Sequence, residues 1–475
     1  MLRRPIRSLV VLAFAVLAGC ASDGRLTTGT AGVGGDLSGT TVGADASVDA
    51  RPNADVPVPP GGDVGLGPER SDGTIAWPDG GLVPPRDGTT GPSPDLGAGV
   101  TDGSAPPPPM PDAAAPPPPP DAATPPPPPL PDAAPPPPPP GPPPPLQVFF
   151  NEPDGAAIAT LQDQMIHLID LASAGAELRM SMYEFSEPAY VDAFRRAVAR
   201  GVDVSLIFDG DHETPAIQDQ LHSFLGNDRL FLCPRGACIG TGINHNKFIL
   251  ISHLDDGSSN VVMQGSHNFT PSQNRRFNNI VIVRDDATLY GEYHAYWNDL
   301  RAAHQNLDYY HTFTGDSGVK GYFFPRASGD LILSVLGNVH CDPGAEIHVA
   351  MAYFEDERVE IATTLRALRD AGCGVHVIAG NYPAESSPGP QVVAAFRGMD
   401  YHLYDLPNVT VHSKYLLIHA RYASGDAVES LVFTGSHNYT QGALRNNDEA
   451  LLRLQDADAY QAFLADWNTM RSRLP

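Results

Sequence analysis

The sequence predicts an α/β fold in which two duplicated halves pack about a pseudo-twofold axis, preceded by a disordered, Pro-rich tether. Three observations support this prediction. Short motifs recur at a nearly constant offset, strand-like and helix-like segments alternate within each copy, and 26 of the 49 prolines fall between Pro106 and Pro145. Only residues 147–475 therefore carry the apolar periodicity that a folded core requires.

Residues 1–20 are typical of an export signal, because three arginines precede a short apolar run that ends in Leu17-Ala18-Gly19-Cys20. The tetrapeptide resembles the lipobox of bacterial lipoproteins, which implies cleavage before Cys20 and acylation of its thiol. We expect an exported, membrane-anchored lipoprotein, with Ala21 after the cysteine favouring the outer membrane or cell surface. The alternative is an ordinary secretory peptide.

Residues 21–146 are predicted to be a disordered tether, rich first in Gly, Ser and Asp and then in proline. As a polyproline II rod, the segment from Pro106 to Pro145 would extend roughly 120 Å at 3.1 Å per residue. We expect a spacer that holds the folded region away from the membrane. A ligand for SH3-type domains is the alternative.

The charge and hydropathy of the folded region restrict its function. Residues 147–475 hold 23 basic and 40 acidic residues, a net charge of −17, which opposes nucleic-acid binding by the bulk surface. No stretch in this region approaches 18 consecutive apolar residues, which excludes a polytopic membrane protein. The chain has 27 arginines and only three lysines, Lys247, Lys320 and Lys414, so each lysine calls for a specific explanation.

The cysteines of the folded region predict two disulfides in an oxidising compartment. Cys233 and Cys238 can close a small loop, and Cys341 and Cys373 a longer one. A metal site is the alternative, because the spacing of Cys233 and Cys238 is loosely typical of zinc ligands. No matching Cys/His pair lies near the other two cysteines in the sequence.

The internal repeat divides the folded region into half 1, residues 147–312, and half 2, residues 313–475. GAELRMSMY from Gly175 matches GAEIHVAMA from Gly344, and GSHNFT from Gly265 matches GSHNYT from Gly435. The offsets are 169 and 170 residues, so both halves should contain the same elements in the same order.

Each half mixes strand and helix patterns, as an α/β fold requires. Phe149-Phe150 and Phe323-Phe324 are predicted to open strands. Further strands are predicted over 202–208 and 375–378, and helices over 156–173 and 357–371. A final helix in each half carries aromatic residues on one face, which predicts core packing for Tyr293, Trp297, Phe463 and Trp467.

Both halves contain a His-x-Lys motif at the start of an apolar segment, HNKFILIS from His245 and HSKYLLIH from His412. Residues two apart in a strand face the same side, so each imidazole should lie beside Lys247 or Lys414. Burying an ammonium costs several kcal/mol of free energy unless an anion meets it. The motif therefore predicts a phosphate site.

A G-S-x-N segment repeats the same arrangement, with Ser266 and Asn268 in one half and Ser436 and Asn438 in the other. If the halves converge, two His, two Lys, two Ser and two Asn meet in one pocket. Such a set suits phosphoryl transfer: lysines and amides hold the phosphoryl oxygens, one imidazole attacks phosphorus and the other protonates the leaving oxygen.

With these motifs, residues 147–475 resemble the phospholipase D superfamily, whose signature is H-x-K-x(4)-D followed by G-S-x-N in each of two halves. The resemblance implies two α/β halves, an active site at their interface without metal or cofactor, and a phosphohistidine intermediate. The matching residues, carried over as catalytic, are His245, Lys247, Ser266, Asn268, His412, Lys414, Ser436 and Asn438.

The chain departs from the signature at the aspartate, where Ser252 and His419 stand. In the superfamily this aspartate is thought to be structural, and the tyrosyl-DNA phosphodiesterase branch also lacks it, so the resemblance does not require it for activity.

Glu449, 14 residues after Gly435, matches an acid that hydrogen-bonds the catalytic histidine in small bacterial nucleases of the superfamily, and we assign it to the site. Asn279 stands at the same spacing after Gly265. We expect Glu449 to fix the tautomer of His412 and raise its pKa, while an amide only orients the other imidazole. Which histidine attacks phosphorus stays open, because family precedent favours His245 while the carboxylate support expected from Glu449 favours His412.

The resemblance and the predicted anchor together favour a monomeric phospholipase D-like phosphodiesterase that hydrolyses phospholipids or transfers their phosphatidyl group. A nuclease with the same chemistry is the first alternative, made less favourable by the net charge. A non-catalytic phosphate-binding surface module is the second.

Overall fold

The computed structural model describes residues 143–212 and 214–475. The predicted signal peptide, the acylation site Cys20 and nearly all of the predicted tether lie outside these residues. Within the described part of the chain, no helix has both the length and the apolar character needed to cross a bilayer.

Half 1 begins with a strand and ends with a long helix. Its strands are β1 (Leu146–Phe150), β2 (Glu177–Met182), β3 (Asp203–Phe208), β4 (Leu230–Leu232), β5 (Lys247–His253), β6 (Ser259–Gly265), β7 (Arg276–Phe277) and β8 (Asn279–Val283). Its helices are α1 (Thr160–Asp170), α2 (Pro188–Ala199), α3 (Pro215–Leu225) and α4 (Ala287–Ala302).

Half 2 repeats this plan with small additions. Its strands are β9 (His311–Thr314), β10 (Lys320–Phe324), β11 (Val339–His340), β12 (Glu346–Met351), β13 (Gly374–Gly380), β14 (Asp400–Tyr404), β15 (Thr410–Val411), β16 (Lys414–Tyr422), β17 (Val428–Gly435) and β18 (Glu449–Gln455). Its helices are α5 (Leu331–Gly337), α6 (Val359–Asp370), α7 (Pro390–Ala395), α8 (Gln441–Arg445) and α9 (Ala457–Ser472).

The two sheets have the same topology, which confirms the predicted duplicated α/β fold. The first has the order β1-β8-β6-β5-β2-β3-β4, and the second the corresponding order β10-β18-β17-β16-β12-β13-β14, extended by β9 and β11. Each sheet contains one corresponding parallel pair next to the strand that carries the His-x-Lys lysine: β2 with β3 beside β5, and β12 with β13 beside β16. Strands β7 and β15 form a separate parallel pair that joins the halves.

A shared hydrophobic core holds the halves together. Helix α4 packs on its own sheet and on β9, while α9 packs on its own sheet and on β1. The predicted core aromatics Tyr293, Trp297, Phe463 and Trp467 are all buried in this core. Trp297 Nε1 donates to the Met180 carbonyl at 3.0 Å, and Trp467 donates at the same distance to the equivalent carbonyl in half 2. The prediction of core helices is confirmed.

The Phe pairs differ from the sequence prediction in one respect. Phe149-Phe150 and Phe323-Phe324 end strands β1 and β10 instead of opening them. The reason is the antiparallel pairing, which sets Phe150 opposite Asn279 and Phe324 opposite Glu449, where β8 and β18 begin. Both pairs therefore mark the edge at which the motif residues meet.

The described part of the chain contains two disulfides. Cys233 is bonded to Cys238, and Cys341 to Cys373.

Candidate active site

Each His-x-Lys motif straddles the start of a central strand. Lys247 and Lys414 are the first residues of β5 and β16, and the histidines precede the strands by two residues. The backbone of each histidine is held by the opposite half. The His245 N–H donates to the Asp448 carbonyl at 3.0 Å, and the His412 N–H donates to the Phe277 carbonyl at 2.9 Å.

The two motifs converge, as the sequence repeat predicted. All four side chains are buried, with both lysines fully inaccessible. Burial lowers the pKa of His412 well below its ordinary value, and the charges of Lys414, Arg276 and Lys247 lower it further. The pKa of His245 is lowered in the same way by burial, Lys247 and Lys414. Charges of both halves therefore act on each imidazole.

Glu449 of half 2 holds the imidazole of half 1. Nδ1 of His245 lies 2.9 Å from each carboxylate oxygen of Glu449. A carboxylate accepts a hydrogen bond from Nδ1–H, so Nε2 is the unprotonated nitrogen of the neutral His245 ring.

Asn278 of half 1 plays the corresponding part for His412. Its Oδ1 lies 2.9 Å from His412 Nδ1, while its Nδ2 donates to the carbonyls of Gln273 and Arg276 at 3.1 and 3.2 Å. Because these carbonyls fix the amide orientation, Oδ1 faces the imidazole and accepts the Nδ1 proton. Both histidines thus present Nε2.

This pairing corrects the sequence analysis. Glu449 was expected to support His412, with Asn279 as the matching amide, and the structure places Glu449 at His245 instead. Asn279 donates to Thr434 Oγ1 at 2.8 Å and is not the residue that binds a catalytic imidazole.

The pairing between the halves explains why Glu449 contacts His245 and Asn278 contacts His412. Strand β7 runs beside β15, which leads directly into His412, so Asn278 follows β7 into contact with that imidazole. Asp448 binds the backbone of His245, so the next residue, Glu449, reaches the His245 ring.

The serines of the G-S-x-N segments support these two orienting groups. Ser436 Oγ donates to Glu449 Oε2 at 2.5 Å, and Ser266 Oγ donates to Asn278 Oδ1 at 3.0 Å. The serine hydroxyls therefore act on the residues that hold the imidazoles.

The preceding glycines allow a close approach to the neighbouring strand. A Cβ at Gly265 would come within 3.0 Å of the Asn279 carbonyl oxygen, and one at Gly435 would come still closer to the Ala450 carbonyl oxygen. Both positions therefore exclude a side chain.

Asn268 and Asn438 lie beside residues that follow β2 and β12. Asn268 Nδ2 donates to Glu184 Oε2 at 3.2 Å, and Asn438 Oδ1 accepts from the Tyr353 N–H at 3.4 Å. The two asparagines thus connect the G-S-x-N segments to the carboxyl ends of neighbouring strands.

Burial dominates the electrostatics of the lysines. It lowers the pKa of Lys247 to about 7, against the opposing charges of Glu449, Glu184 and Asp209. Burial and the neighbouring Lys247 lower the pKa of Lys414 well below its ordinary value. Two ammonium groups this close favour an anion between them.

The Glu449 carboxyl is affected in the opposite direction. Burial raises its pKa to about 8, although Lys247 and a hydrogen bond from Ser436 favour the charged form. The expected rise in the pKa of the supported imidazole is not found, because burial, Lys247 and Lys414 lower the pKa of His245 against the opposing charge of Asp209.

Asp448 is a buried acid that sequence reasoning missed. Its carboxylate accepts backbone N–H bonds from Cys238, Ile239 and Gly240, the shortest at 2.6 Å. Burial raises its pKa to about 7 despite these bonds. The Cys233–Cys238 loop is thus attached to the residue whose carbonyl holds the His245 backbone.

Aromatic side chains also missed by sequence reasoning surround the motifs. Tyr183 follows β2, and its hydroxyl lies 2.9 Å from His212 Nε2, while His212 Nδ1 lies 3.0 Å from Asp209. Tyr353 and Tyr382, which follow β12 and β13, stack at 4.3 Å. Ligands commonly bind at the carboxyl ends of parallel strands, and that rule would have located these residues once the strand order was known.

The remaining motif positions lie outside the site. Ser252 and His419, which replace the signature aspartate, lie toward the far ends of β5 and β16; Ser252 Oγ accepts from the Glu177 N–H at 2.9 Å. His267 and His437, at the variable position of the G-S-x-N segments, are buried.

A family model described as "Cardiolipin synthase, PLD-like domain" matches residues 165–301 and 342–471. The matches fall one in each half and together cover more than half of the chain. The chain belongs to the phospholipase D superfamily. Members of this superfamily process phosphodiesters, and the predicted resemblance is confirmed.

Solved structures of low identity are similar to parts of this chain. Phosphatidylserine synthase from Haemophilus influenzae is 14% identical over 68% of this phospholipase D-like chain and 86% of its own, with a TM-score of 0.49. Nuc from Salmonella typhimurium, a phospholipase D family member, is 24% identical over 33% of this chain and 94% of its own, with a TM-score of 0.26.

Polyphosphate kinase from Porphyromonas gingivalis is 13% identical over 68% of this chain, with a TM-score of 0.46. The phospholipase D-like chain spans 50% of the length of that kinase. Comparison with curated protein sequences finds no match.

Proposed function

We propose that the chain is a phosphodiesterase that hydrolyses phospholipids, or transfers their phosphatidyl group to an alcohol, through a phosphohistidine at His245. The observation that carries the proposal is the pair of buried imidazoles at the half interface, each with Nδ1 bound by an oxygen of the other half, so that Nε2 is the nitrogen left for chemistry. A nucleophile and a proton donor that share one phosphorus centre need this arrangement.

In the first step, Nε2 of His245 forms a bond to phosphorus as the bond from phosphorus to the head-group oxygen breaks. Nε2–H of His412 gives its proton to that oxygen. The negative phosphodiester raises the pKa of His412, which the nearby cations lower in the free protein, so the imidazole can start the step protonated. Lys247 and Lys414 hold the phosphoryl oxygens.

In the second step, His412 takes a proton from water, and the water oxygen attacks phosphorus. The P–N bond breaks, its electron pair returns to His245 Nε2, and phosphatidic acid leaves. An alcohol in place of water gives a new phosphatidyl ester. Glu449 accepts the Nδ1–H hydrogen bond of His245, and the positive charge that forms on the ring favours the ionised form of Glu449 against the effect of burial, so that the carboxylate stabilises this charge.

His245 is assigned as the nucleophile because it has the carboxylate. A carboxylate partner makes an imidazole a stronger nucleophile than an amide does, and Glu449 also accepts a bond from Ser436. The amide of Asn278 leaves His412 less basic, which suits the residue that gives up a proton.

Acidic residues near the site favour a lipid over nucleic acid. Glu184 bonds Asn268, and the charges of both Arg276 and Glu385 act on the stacked Tyr353 and Tyr382. The Glu184 carboxylate repels a polyanion, and carboxylates together with aromatic faces suit an ammonium head group. The folded region's net charge of −17 and the cardiolipin-synthase description of the matching family model support the same substrate class.

The substrate is tested with the purified full chain, EDTA present throughout, on vesicles of phosphatidylcholine or phosphatidylethanolamine and on plasmid DNA. We expect release of phosphatidic acid, lost in His245→Ala and His412→Ala and kept in His253→Ala, an exposed histidine at the end of β5. Nicking of DNA without lipid turnover would replace the proposal by a nuclease. Failure to cleave any phosphodiester would favour a phosphate-binding module.

Anchoring at Cys20 is part of the proposal and has its own test. Cells that express the full chain are labelled with a palmitate analogue and fractionated. We expect label in the membrane fraction for the native chain and none for Cys20→Ala. Equal labelling of both would reject the anchor.

A further inference from the structure

Half 2 carries a cluster of histidines and carboxylates at the end of its sheet opposite the catalytic motifs. Glu346 and His348 lie on β12, His376 on β13, and Asp400 and His402 on β14. In the sheet register, His348 is opposite His376, and His376 is opposite Asp400. Directly paired residues of neighbouring strands face the same side, so the five side chains share one face.

The cluster is compact. His376 Nε2 lies 3.0 Å from Glu346 Oε2, and His376 Nδ1 lies 2.5 Å from Asp400 Oδ2. The rings of His348 and His376 stack at 4.5 Å. One donor atom from each of Glu346, His348 and His376 lies within 4.8 Å of the others.

His348 is the member that points to a ligand. It is only 9% exposed, and its Nδ1 is a buried polar atom without a hydrogen-bond partner. A buried ring nitrogen without a partner loses free energy relative to water, so its retention calls for an explanation. Trp467 packs edge-on against the ring at 4.9 Å and limits the room for water on that side.

In half 1, an arginine occupies the position that is equivalent to His348. Glu177 and Arg179 are the equivalents of Glu346 and His348 in the repeat. Arg179 donates to Glu177 and to Asp203 of β3, both at 2.9 Å, and its guanidinium lies 5.5 Å from the Trp297 ring centroid. A permanent cation thus balances the carboxylates of half 1.

In half 2, a histidine stands where that arginine would be. The carboxylates Glu346 and Asp400 are bonded to histidines, Glu346 to His376 and Asp400 to His376 and His402. A neutral imidazole carries no charge, so this position holds a positive charge only when a proton or a metal ion is bound there.

We propose that half 2 binds one zinc ion, or a similar divalent transition metal, through Glu346, His348 and His376. Imidazole nitrogens and a carboxylate oxygen are ligands that Zn²⁺ takes in proteins. His376 would bind through Nε2 while its Nδ1–H donates to Asp400, the carboxylate–histidine arrangement that orients metal ligands. The ion takes the place that the Arg179 guanidinium occupies in half 1.

The site is separate from the catalytic motifs. Glu346 begins β12, and Met351 at the other end of that strand pairs with Lys414. Five residues of strand span about 16 Å, so the ion lies beyond contact with the imidazoles. Metal binding should therefore act on stability, and phosphodiester cleavage should continue after the metal is removed, provided the chain stays folded.

The test uses the purified full chain, stripped with EDTA and dialysed, and titrated with zinc chloride in a calorimeter. We expect one saturable site per chain and a higher unfolding midpoint in zinc. His348→Arg, which installs the half 1 residue, and His376→Gln should each weaken zinc binding at least 100-fold and lose the shift in midpoint. His253→Gln and His412→Asn should keep both.

Cobalt provides a second readout, because its visible absorption reports nitrogen and oxygen ligation in a tetrahedral site. Absence of saturable zinc binding would overturn the proposal. So would binding that survives in both His348→Arg and His376→Gln, or binding that His412→Asn abolishes, which would place the metal at the catalytic motifs. If His348→Arg does not fold, His376→Gln decides the matter.

Discussion

Glu449, at the start of β18 in half 2, holds Nδ1 of His245 in half 1 with both carboxylate oxygens at 2.9 Å. The reciprocal bond joins His412 of half 2 to Asn278 of half 1. Neither half therefore contains a complete site. Each supplies one imidazole of the candidate site and the group that orients the other half's imidazole.

Replacing Glu449 by glutamine tests the asymmetry between the two imidazoles. We expect Glu449→Gln to lower kcat about 100-fold or more, because an amide does not stabilise the positive charge that forms on His245 during attack. Steady-state kinetics on phosphatidylcholine vesicles would measure the change.

Asp466 supplies a matched control for that change. It is also a buried acid, its pKa is raised by burial to about 7, and it bonds Tyr415 in the shared core. Asp466→Asn should leave kcat within a few-fold of the native value. Equal losses in both variants would show that Glu449 acts through general stability and not through His245.

The buried amine of Lys247 should lower the free energy of unfolding by an amount that depends on pH. Its pKa falls from 10.5 to about 7 on folding, so between these values the unfolded chain binds more protons, and stability rises with pH. The destabilisation is complete below about pH 7 and disappears toward pH 10.5. We expect Lys247→Met to abolish activity yet raise the unfolding midpoint by about 2 °C or more at pH 6.

The gain in Lys247→Met should shrink steadily in thermal scans from pH 6 to pH 10. Lys320→Met, at the partly exposed lysine outside the two motifs, is measured alongside as the control for replacing a lysine elsewhere in the chain. A gain that is constant with pH would mean that packing by methionine, and not removal of the buried charge, stabilises the variant.

The two disulfides should differ in what they support. The Cys341–Cys373 pair spans 32 residues, so its loss should lower the free energy of unfolding by about 3–4 kcal/mol by loop-closure entropy, with kcat unchanged. The Cys233–Cys238 pair spans only five residues but holds the loop that binds Asp448. Its loss should lower kcat, and it should lower the free energy of unfolding by less than loss of the Cys341–Cys373 pair does.

Denaturant unfolding and vesicle assays on Cys341→Ala/Cys373→Ala and Cys233→Ala/Cys238→Ala double variants measure both effects. Full kcat in Cys233→Ala/Cys238→Ala would contradict the role given to that pair. Unfolding of Cys341→Ala/Cys373→Ala at the same denaturant concentration as the unsubstituted protein would contradict the role given to the other.

The repeat made the fold predictable, because recurrence at offsets of 167 to 170 residues requires equivalent elements in both halves. His245, Lys247, His412 and Lys414 were found because lysine is rare in this chain and a buried lysine needs an anionic partner.

The partners of the imidazoles were not predictable in the same way. Spacing after Gly435 identified Glu449, but sequence distance within one half carries no information about contacts with the other half. That contact depends on the pairing of β7 with β15 and on the Asp448 carbonyl, which only the packed halves reveal. Asn278 was missed for a related reason, since its neighbour Asn279 occupies the repeat-equivalent position.

The central claim is that His245 attacks phosphorus while His412 moves protons, and trapping the intermediate tests it most directly. His412→Asn should accumulate a phosphatidyl adduct on His245 after mixing with short-chain phosphatidylcholine and rapid denaturation, detected by mass spectrometry of the peptide that carries His245. His245→Asn should give no adduct. An adduct on His412 in the His245→Asn variant, with none in His412→Asn, would contradict the assignment.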